Sequence, residues 1–315
     1  MDQKLAVYWK MVKDRSSLLN KRASDQLILD SSLLNEICIA ATGSDGRLEK
    51  GPLSPLELII FSRNSEYANQ VSTIINSLNF DQFTIIDHAS TERKIVGGTS
   101  PLSYAMNDEK KVFPSRIFDS VVLAGDPKIL LDAKKELVLE LANINRIFEY
   151  VQGKKKSARR VMESGQQEWK GQNIVHYDLT NGIAFLNNQN SGDIESKSRS
   201  FKMGPLRYVQ YSIEQHLLGK IRGFVANGKT EMAVGLLTDL PTPTVEKLKF
   251  LSENKLLNLK GSVLSEAIEC YLAFLELYHI SENLCQNNQT EFKFDISEVT
   301  KRIGDLKTIF GSGKL

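Results

Sequence analysis

Cysteine is scarce in this chain of 315 residues, with only Cys38, Cys270 and Cys285 present. Three scattered thiols are too few for a disulfide framework or a zinc site, and they read as small buried hydrophobes in a reducing compartment. Long apolar runs are missing too, and none approaches the roughly 20 residues that span a bilayer. Neither sign of charge dominates: 40 Lys and Arg against 38 Asp and Glu leave a formal +2. That balance gives no global case for a nucleic-acid or membrane partner. The four histidines, His88, His176, His216 and His279, have no metal-binding spacing and read as surface or packing residues. A Ser-His-Asp or Cys-His set, a Walker loop and a dinucleotide fingerprint are all absent. What remains is an ordinary globular composition, 41% hydrophobic and 25% charged, with length enough for two domains. The first 22 residues are amphipathic and mixed in charge, unlike a secretory signal, so the expected address is cytoplasmic. Export by a route that needs no signal would leave the same sequence.

Apolar residues at helical spacing (Leu5, Tyr8, Trp9, Val12, Leu18, Leu19, Leu27) predict helices over about residues 1–35, with Asp30-Ser31-Ser32 a cap between two of them. Ile37 to Ala41 and Leu56 to Phe61 are short continuous apolar runs, the pattern of strands buried on both faces. Asn64 to Leu78 reads as a helix and Phe83 to Asp87 as a third strand. The order implies a small mixed sheet with helices on one face, hence an α+β class. From about residue 151 the texture changes to long amphipathic helices. The expected organisation is a domain over 1–150 and an all-helical domain over 151–315. Residues 187–200 are rich in Asn, Ser and Gly and read as a loop.

Between the first two strands lies the most informative segment, Gly43-Ser44-Asp45-Gly46-Arg47-Leu48-Glu49, followed by Ser54-Pro55-Leu56-Glu57-Leu58. A Gly-Ser turn lets backbone N–H groups and a hydroxyl approach phosphate oxygens, since neither residue has the bulk to hold them off. A carboxylate opening the next strand, here Glu57, is placed to hold a Mg²⁺ shared with those phosphates.

This pattern resembles the nucleotidyltransferases of the DNA polymerase β type. It is most similar to the bacterial protein-uridylyltransferase and glutamine-synthetase adenylyltransferase group and its small relatives. In that group a Gly-Ser-x-Gly-Arg-x-Glu segment precedes Ser-Asp-x-Asp-Leu. Gly43, Ser44, Gly46, Arg47, Glu49, Ser54 and Leu58 match. Pro55 and Glu57 stand where the two aspartates are expected. Pro55 has no side chain to offer a cation, and the Glu57 carboxylate sits one methylene further out than that of an Asp.

The resemblance implies transfer of a nucleoside monophosphate from a nucleoside triphosphate to a hydroxyl, on a protein acceptor, with Mg²⁺ as cofactor and pyrophosphate as leaving group. Gly43 and Ser44 would hold phosphates, Arg47 would neutralise the leaving group, and Glu57 and Asp87 would ligate the metal. Glu49 would orient Arg47. For Asp87 the alternative is a turn cap at a strand end. Asp119 competes with it, although Asp119 and Asp126 read as structural residues at a junction that starts a helix to about Tyr150. Lys202, before the Gly204-Pro205-Leu206-Arg207 helix start, would reach a phosphate, or else faces water. The loss of Pro55's counterpart leaves a second reading open: a catalytically inactive nucleotide-binding or protein-interaction module that keeps the fold.

One basic run, Lys154-Lys155-Lys156 with Arg159 and Arg160, would suit a triphosphate, RNA or an acidic surface, or is simply a solvated helix start. Without interleaved aromatics it makes no case for nucleic acid.

Overall fold

Asp2 accepts a hydrogen bond from the Lys4 amide at 2.7 Å and so starts the first helix, α1 (Gln3–Gln26). The computed structural model describes residues 2–27, 29–54, 56–62, 67, 70–71, 73, 106–107, 111–112, 115–142 and 193–310. Pro55, Asp87, His88, His176, the third strand expected at Phe83 to Asp87 and the basic run at 154–160 lie outside them. Asp30 caps α2 (Ser31–Leu34) through the Ser32 amide, as its Asp-Ser-Ser sequence implies.

Ile37–Ala41 forms β1, and all five residues are buried. It is the central strand of an antiparallel sheet, between β2 (Leu58–Ser62) and β5 (Val121–Gly125). A separate pair, β3 (Met106–Asn107) and β4 (Lys111–Val112), precedes β5. Ile39 pairs with Ile60 and with Ala124, and the register against β5 then shifts, with Ala40 opposite Val122. The α+β class therefore holds. The expected mixed sheet does not appear among the described strands, which are antiparallel; Val121–Gly125 supplies the third one.

Both sheet faces are covered. Ile37, Ile39, Ala41, Leu58 and Ile60 pack with Ala23, Leu27, Leu33 and Val71. Cys38, Ala40, Ile59 and Phe61 belong to a larger core that includes Leu5, Trp9 and the carboxyl-terminal helices. Two-sided burial explains why β1 and β2 read as unbroken apolar runs rather than alternating ones.

After a short helix, α3 (Gly43–Gly46), come α4 (Ser115–Phe118) and α5 (Pro127–Ala142). Asp126 accepts from the Lys128 amide at 2.9 Å, the junction role its position suggested. The second half contains α6 (Ile194–Phe201), a π-helical turn (Lys202–Leu206), α7 (Arg207–Ala226), α8 (Thr230–Asp239), α9 (Thr244–Glu253), α10 (Ser262–Gln286) and α11 (Ile296–Phe310). α10 is the axis of this half and packs against α1, α6, α9 and α11.

Residues 194–200 correct an expectation. They are helical rather than loop, because Asp193 caps the Ser196 amide at 2.7 Å and Ile194, Ser198 and Phe201 are buried. Composition alone missed the cap. Among the described residues, no helix is long and apolar enough to cross a membrane. The larger core joins residues from both sides of position 150, and residues 143–192 lie outside the described ones.

Candidate functional site

β1 ends at Ala41, and the chain turns at once into the single helical turn of α3. Gly43 has φ +60°, and a Cβ there would overlap the Glu57 carboxylate. Glycine is required twice over at this position: for the left-handed backbone and to let a carboxylate lie against it. The first amides of such a turn have no partner within it. Ser44 is half-buried beside them. The Thr42 amide donates to the Glu57 carbonyl at 2.9 Å, which ties the turn to the start of β2. Gly43, Ser44 and Glu57, which the sequence placed in one site, are together.

No described residue donates a hydrogen bond to the Glu57 carboxylate. The neighbouring acids are all engaged. Asp45, fully buried, pairs with Lys50 at 2.7 Å and accepts from the Glu57 amide at 3.3 Å. Burial pushes its carboxyl up to about 6, against the pull of Lys50 and with a smaller push from Glu57. The sequence reading gave Asp45 no role; its position inside the motif was the available signal.

Glu49 is the busiest residue of the region. One oxygen accepts from the Thr244 amide at 2.9 Å, at the start of α9. The other accepts from Arg47 Nε at 3.0 Å, the Tyr271 hydroxyl at 2.7 Å and Gln210 Nε2 at 3.4 Å. Pro243, before α9, offers that helix no side-chain cap, so a carboxylate from the other half of the chain takes the N-terminal site. Glu49 does orient Arg47, and its lone pairs are occupied.

The Arg47 guanidinium also reaches Asp119 at 3.4 Å, and Asp119 in turn is paired with Lys247 of α9. Burial works against the charge on Arg47, but Glu49 and then Asp119 outweigh it and hold its pKa above the ordinary value. Its side chain is 15% exposed. Arg47 is thus turned toward Glu49, Asp119 and the helical half. Lys134 lies close by, donating to the Phe118 carbonyl at 3.1 Å, and burial above all pushes it down to about 8. Asp119 is buried and paired at the junction between α4 and β5.

Lys202 begins the π turn and is half-buried. Its ammonium lies 5.5 Å from the centroid of the Tyr278 ring. Burial lowers its pKa, Glu57 and Glu282 oppose that, and Arg207 and Arg47 add to it. No described carboxylate comes within ion-pair distance of this ammonium. Tyr278 donates to Glu282, and its hydroxyl is 3.4 Å from Ser54 Oγ. Glu282 also accepts from the Leu53 amide at 3.3 Å. Ser54, Lys202, Tyr278 and Glu282 therefore form one contact cluster, with Glu57 in electrostatic reach of Lys202.

His279 bridges the halves. Its Nε2 is 3.1 Å from the Glu49 carbonyl, which can only accept, so Nε2 carries the proton and Nδ1 accepts from the Tyr8 hydroxyl at 2.7 Å. Burial, chiefly, pushes it down to about 4. Reading it as a packing residue is right, though its neighbours lie in two distant segments.

Among the described residues, no group of three His, Cys, Asp or Glu side chains could hold a metal ion. Glu57 is a suitable oxygen donor, and Asp87 lies outside the described residues. No protein-family model matches the chain, and no curated protein matches it.

Proposed function

We propose that the chain is a nucleotidyltransferase-like protein that takes the triphosphate of a nucleotide at the Gly43-Ser44 turn. One observation carries the reading: the Glu57 carboxylate lies directly against Gly43, with no described donor satisfying it. A carboxylate held beside the start of a helical turn suits a cation shared with phosphates. Lys202, half-buried and without a described ion-pair partner, supplies positive charge in electrostatic reach of Glu57.

In this reading Glu57, and Asp87 by resemblance, would hold Mg²⁺, which when bound supplies charge neutralisation on the phosphates. Gly43 and Ser44 bind phosphate oxygens. Arg47 acts through Glu49 and Asp119 to fix the turn. The acceptor, a protein hydroxyl, forms its bond to the α-phosphorus as the bond to the bridging oxygen breaks and pyrophosphate leaves. The acceptor proton passes to a base, a role that the resemblance gives Asp87 as the alternative to binding the metal.

A second reading, a module that binds nucleotide without turning it over, is favoured by the engagement of Asp45, Glu49 and Asp119, each already paired. Calorimetric titration of ATP, UTP, GTP and CTP with Mg²⁺ tests the site, with Glu57→Ala as the control. Metal-dependent binding that this variant loses is the expected result. Release of pyrophosphate from a bound nucleotide separates transfer from binding alone. Absence of binding by all four would overturn the reading.

A further inference from the structure

α10 meets the segment that follows the Gly43 turn, at Leu53 and Ser54. Tyr271, Tyr278 and Glu282 recur at i, i+7 and i+11 and so share one helix face. Tyr271 is spent on Glu49 and Thr244. Tyr278 and Glu282 lie beside Lys202. A single chain of contacts runs from the Leu53 amide to Glu282, to the Tyr278 hydroxyl, and on to Ser54 Oγ. It locks the Tyr278 ring in place, and the Lys202 ammonium sits over that ring. Gly51 allows this closeness, because a Cβ there would overlap the Glu282 carboxylate.

The backbone under Lys202 is also special. The π-helical turn Lys202–Leu206 includes Pro205 and interrupts what would otherwise run from α6 into α7. π turns inside α-helices are uncommon and gather at functional positions. Here the widened turn carries the one side chain of the segment that the resemblance links to phosphate.

We propose that Tyr278 and Glu282 are positioning residues for Lys202, holding its ammonium over the Tyr278 ring at the edge of the Gly43-Ser44 turn for an incoming triphosphate to take up. The inference rests on the nucleotide-binding reading above and adds to it the residues that set how strongly phosphate is held. A ring face attracts an ammonium without capturing it as a carboxylate would, so the cation stays available. The groups acting on Lys202 are Glu57 and Glu282, which favour its charge, and Arg207 and Arg47, which oppose it. Removing the Glu282 charge therefore makes Lys202 lose its proton at lower pH.

The test is calorimetric binding of inorganic tripolyphosphate to the full chain from pH 6 to 10. Lys202→Met should lose most of the binding. Tyr278→Phe, which keeps the ring but loses the hydroxyl that locks it, should bind more weakly than wild type and more tightly than a ringless variant. Tyr278→Leu should bind about 2- to 30-fold more weakly, the range of a cation–π contact. Glu282→Gln should bind no more weakly at neutral pH yet lose binding at lower pH on the alkaline side, while Glu282→Asp restores the wild-type limb. Thermal unfolding checks each variant, with Tyr278→Met in place of Tyr278→Leu if the latter does not fold. Wild-type affinity in the ringless variant, or coincident alkaline limbs in wild type and Glu282→Gln, would overturn the inference while leaving the nucleotide site standing. If wild type binds neither tripolyphosphate nor any Mg²⁺-nucleotide, the site itself falls and the inference with it.

Discussion

Replacing Glu49 by Gln changes one atom in a buried set of four charges. Glu49 and Asp119 balance Arg47 and Lys247, and these side chains are at most 15% exposed. With Gln at 49 the set keeps two cations and one carboxylate, and Asp119 must serve both. Removing one member of a buried pair costs about 3–5 kcal/mol, because the partner charge stays behind. The amide oxygen of Gln can still accept from Thr244, but its NH2 then faces the Arg47 Nε–H, so hydrogen bonds are lost along with charge. Arg47→Met alone leaves one carboxylate in excess and should cost about as much. The double variant restores neutrality, with Lys247 on Asp119, so its cost should fall short of the sum by about 2–3 kcal/mol. Urea unfolding reads this as shifts of the midpoint at constant slope, and urea, being uncharged, does not screen the pairs. Lys134, already at about 8, can shed its proton against the excess of positive charge left by the single Gln variant and take one up against the excess of negative charge left by Arg47→Met. Should Glu49→Gln cost under about 1 kcal/mol, as a surface pair would, the argument that this network ties the motif to α9 is wrong.

Two further outcomes follow from the same geometry. Gly43→Ala forces a methyl into the Glu57 carboxylate at φ +60°; it should cost about 1–2 kcal/mol in thermal unfolding and abolish Mg²⁺-nucleotide binding. The acid side of the stability curve combines opposed contributions from Asp45 and His279. Asp45 is raised to about 6, so its contribution falls as pH rises from about 4 to 6, whereas His279, lowered to about 4, contributes stability present above 6.5 that is lost as pH falls toward 4. Each spans about 3 kcal/mol and they oppose one another, so wild type should change little over this window. Asp45→Asn with Lys50→Met should expose a steep acid loss and His279→Gln the reverse, and equal pH profiles for all three proteins would refute both assignments.

The parts of this fold that were legible in the sequence are those with a local cause. Unbroken apolar runs marked β1 and β2, Asp30 and Asp126 marked helix starts, and the Gly43-to-Glu57 spacing brought a carboxylate to a glycine turn. Val121–Gly125 is also a short apolar run, but it reads as a junction into the following helix and not as a strand. Tyr278, Glu282, Lys247 and Thr244 escaped for a different reason. Nothing near Lys247 in sequence says that its partner is Asp119, 128 positions earlier. Tertiary pairing, not propensity, decides such residues, and a composition-based reading of residues 187–200 as loop failed in the same way against one Asp193 cap.

The reach of Glu49 has a consequence for how the molecule is made. Its backbone and carboxylate meet Thr244, Tyr271 and His279 across 195, 222 and 230 positions of chain. On a ribosome, β1 and β2 can pair soon after both emerge, since their link is short and local. The glycine turn between them must then wait, unbraced, until the last of these helices has been synthesised. The bracing therefore arrives late: a nascent or prematurely ended chain would carry the motif, and even the strands around it, without the groups that hold Arg47, Lys202 and the turn in register.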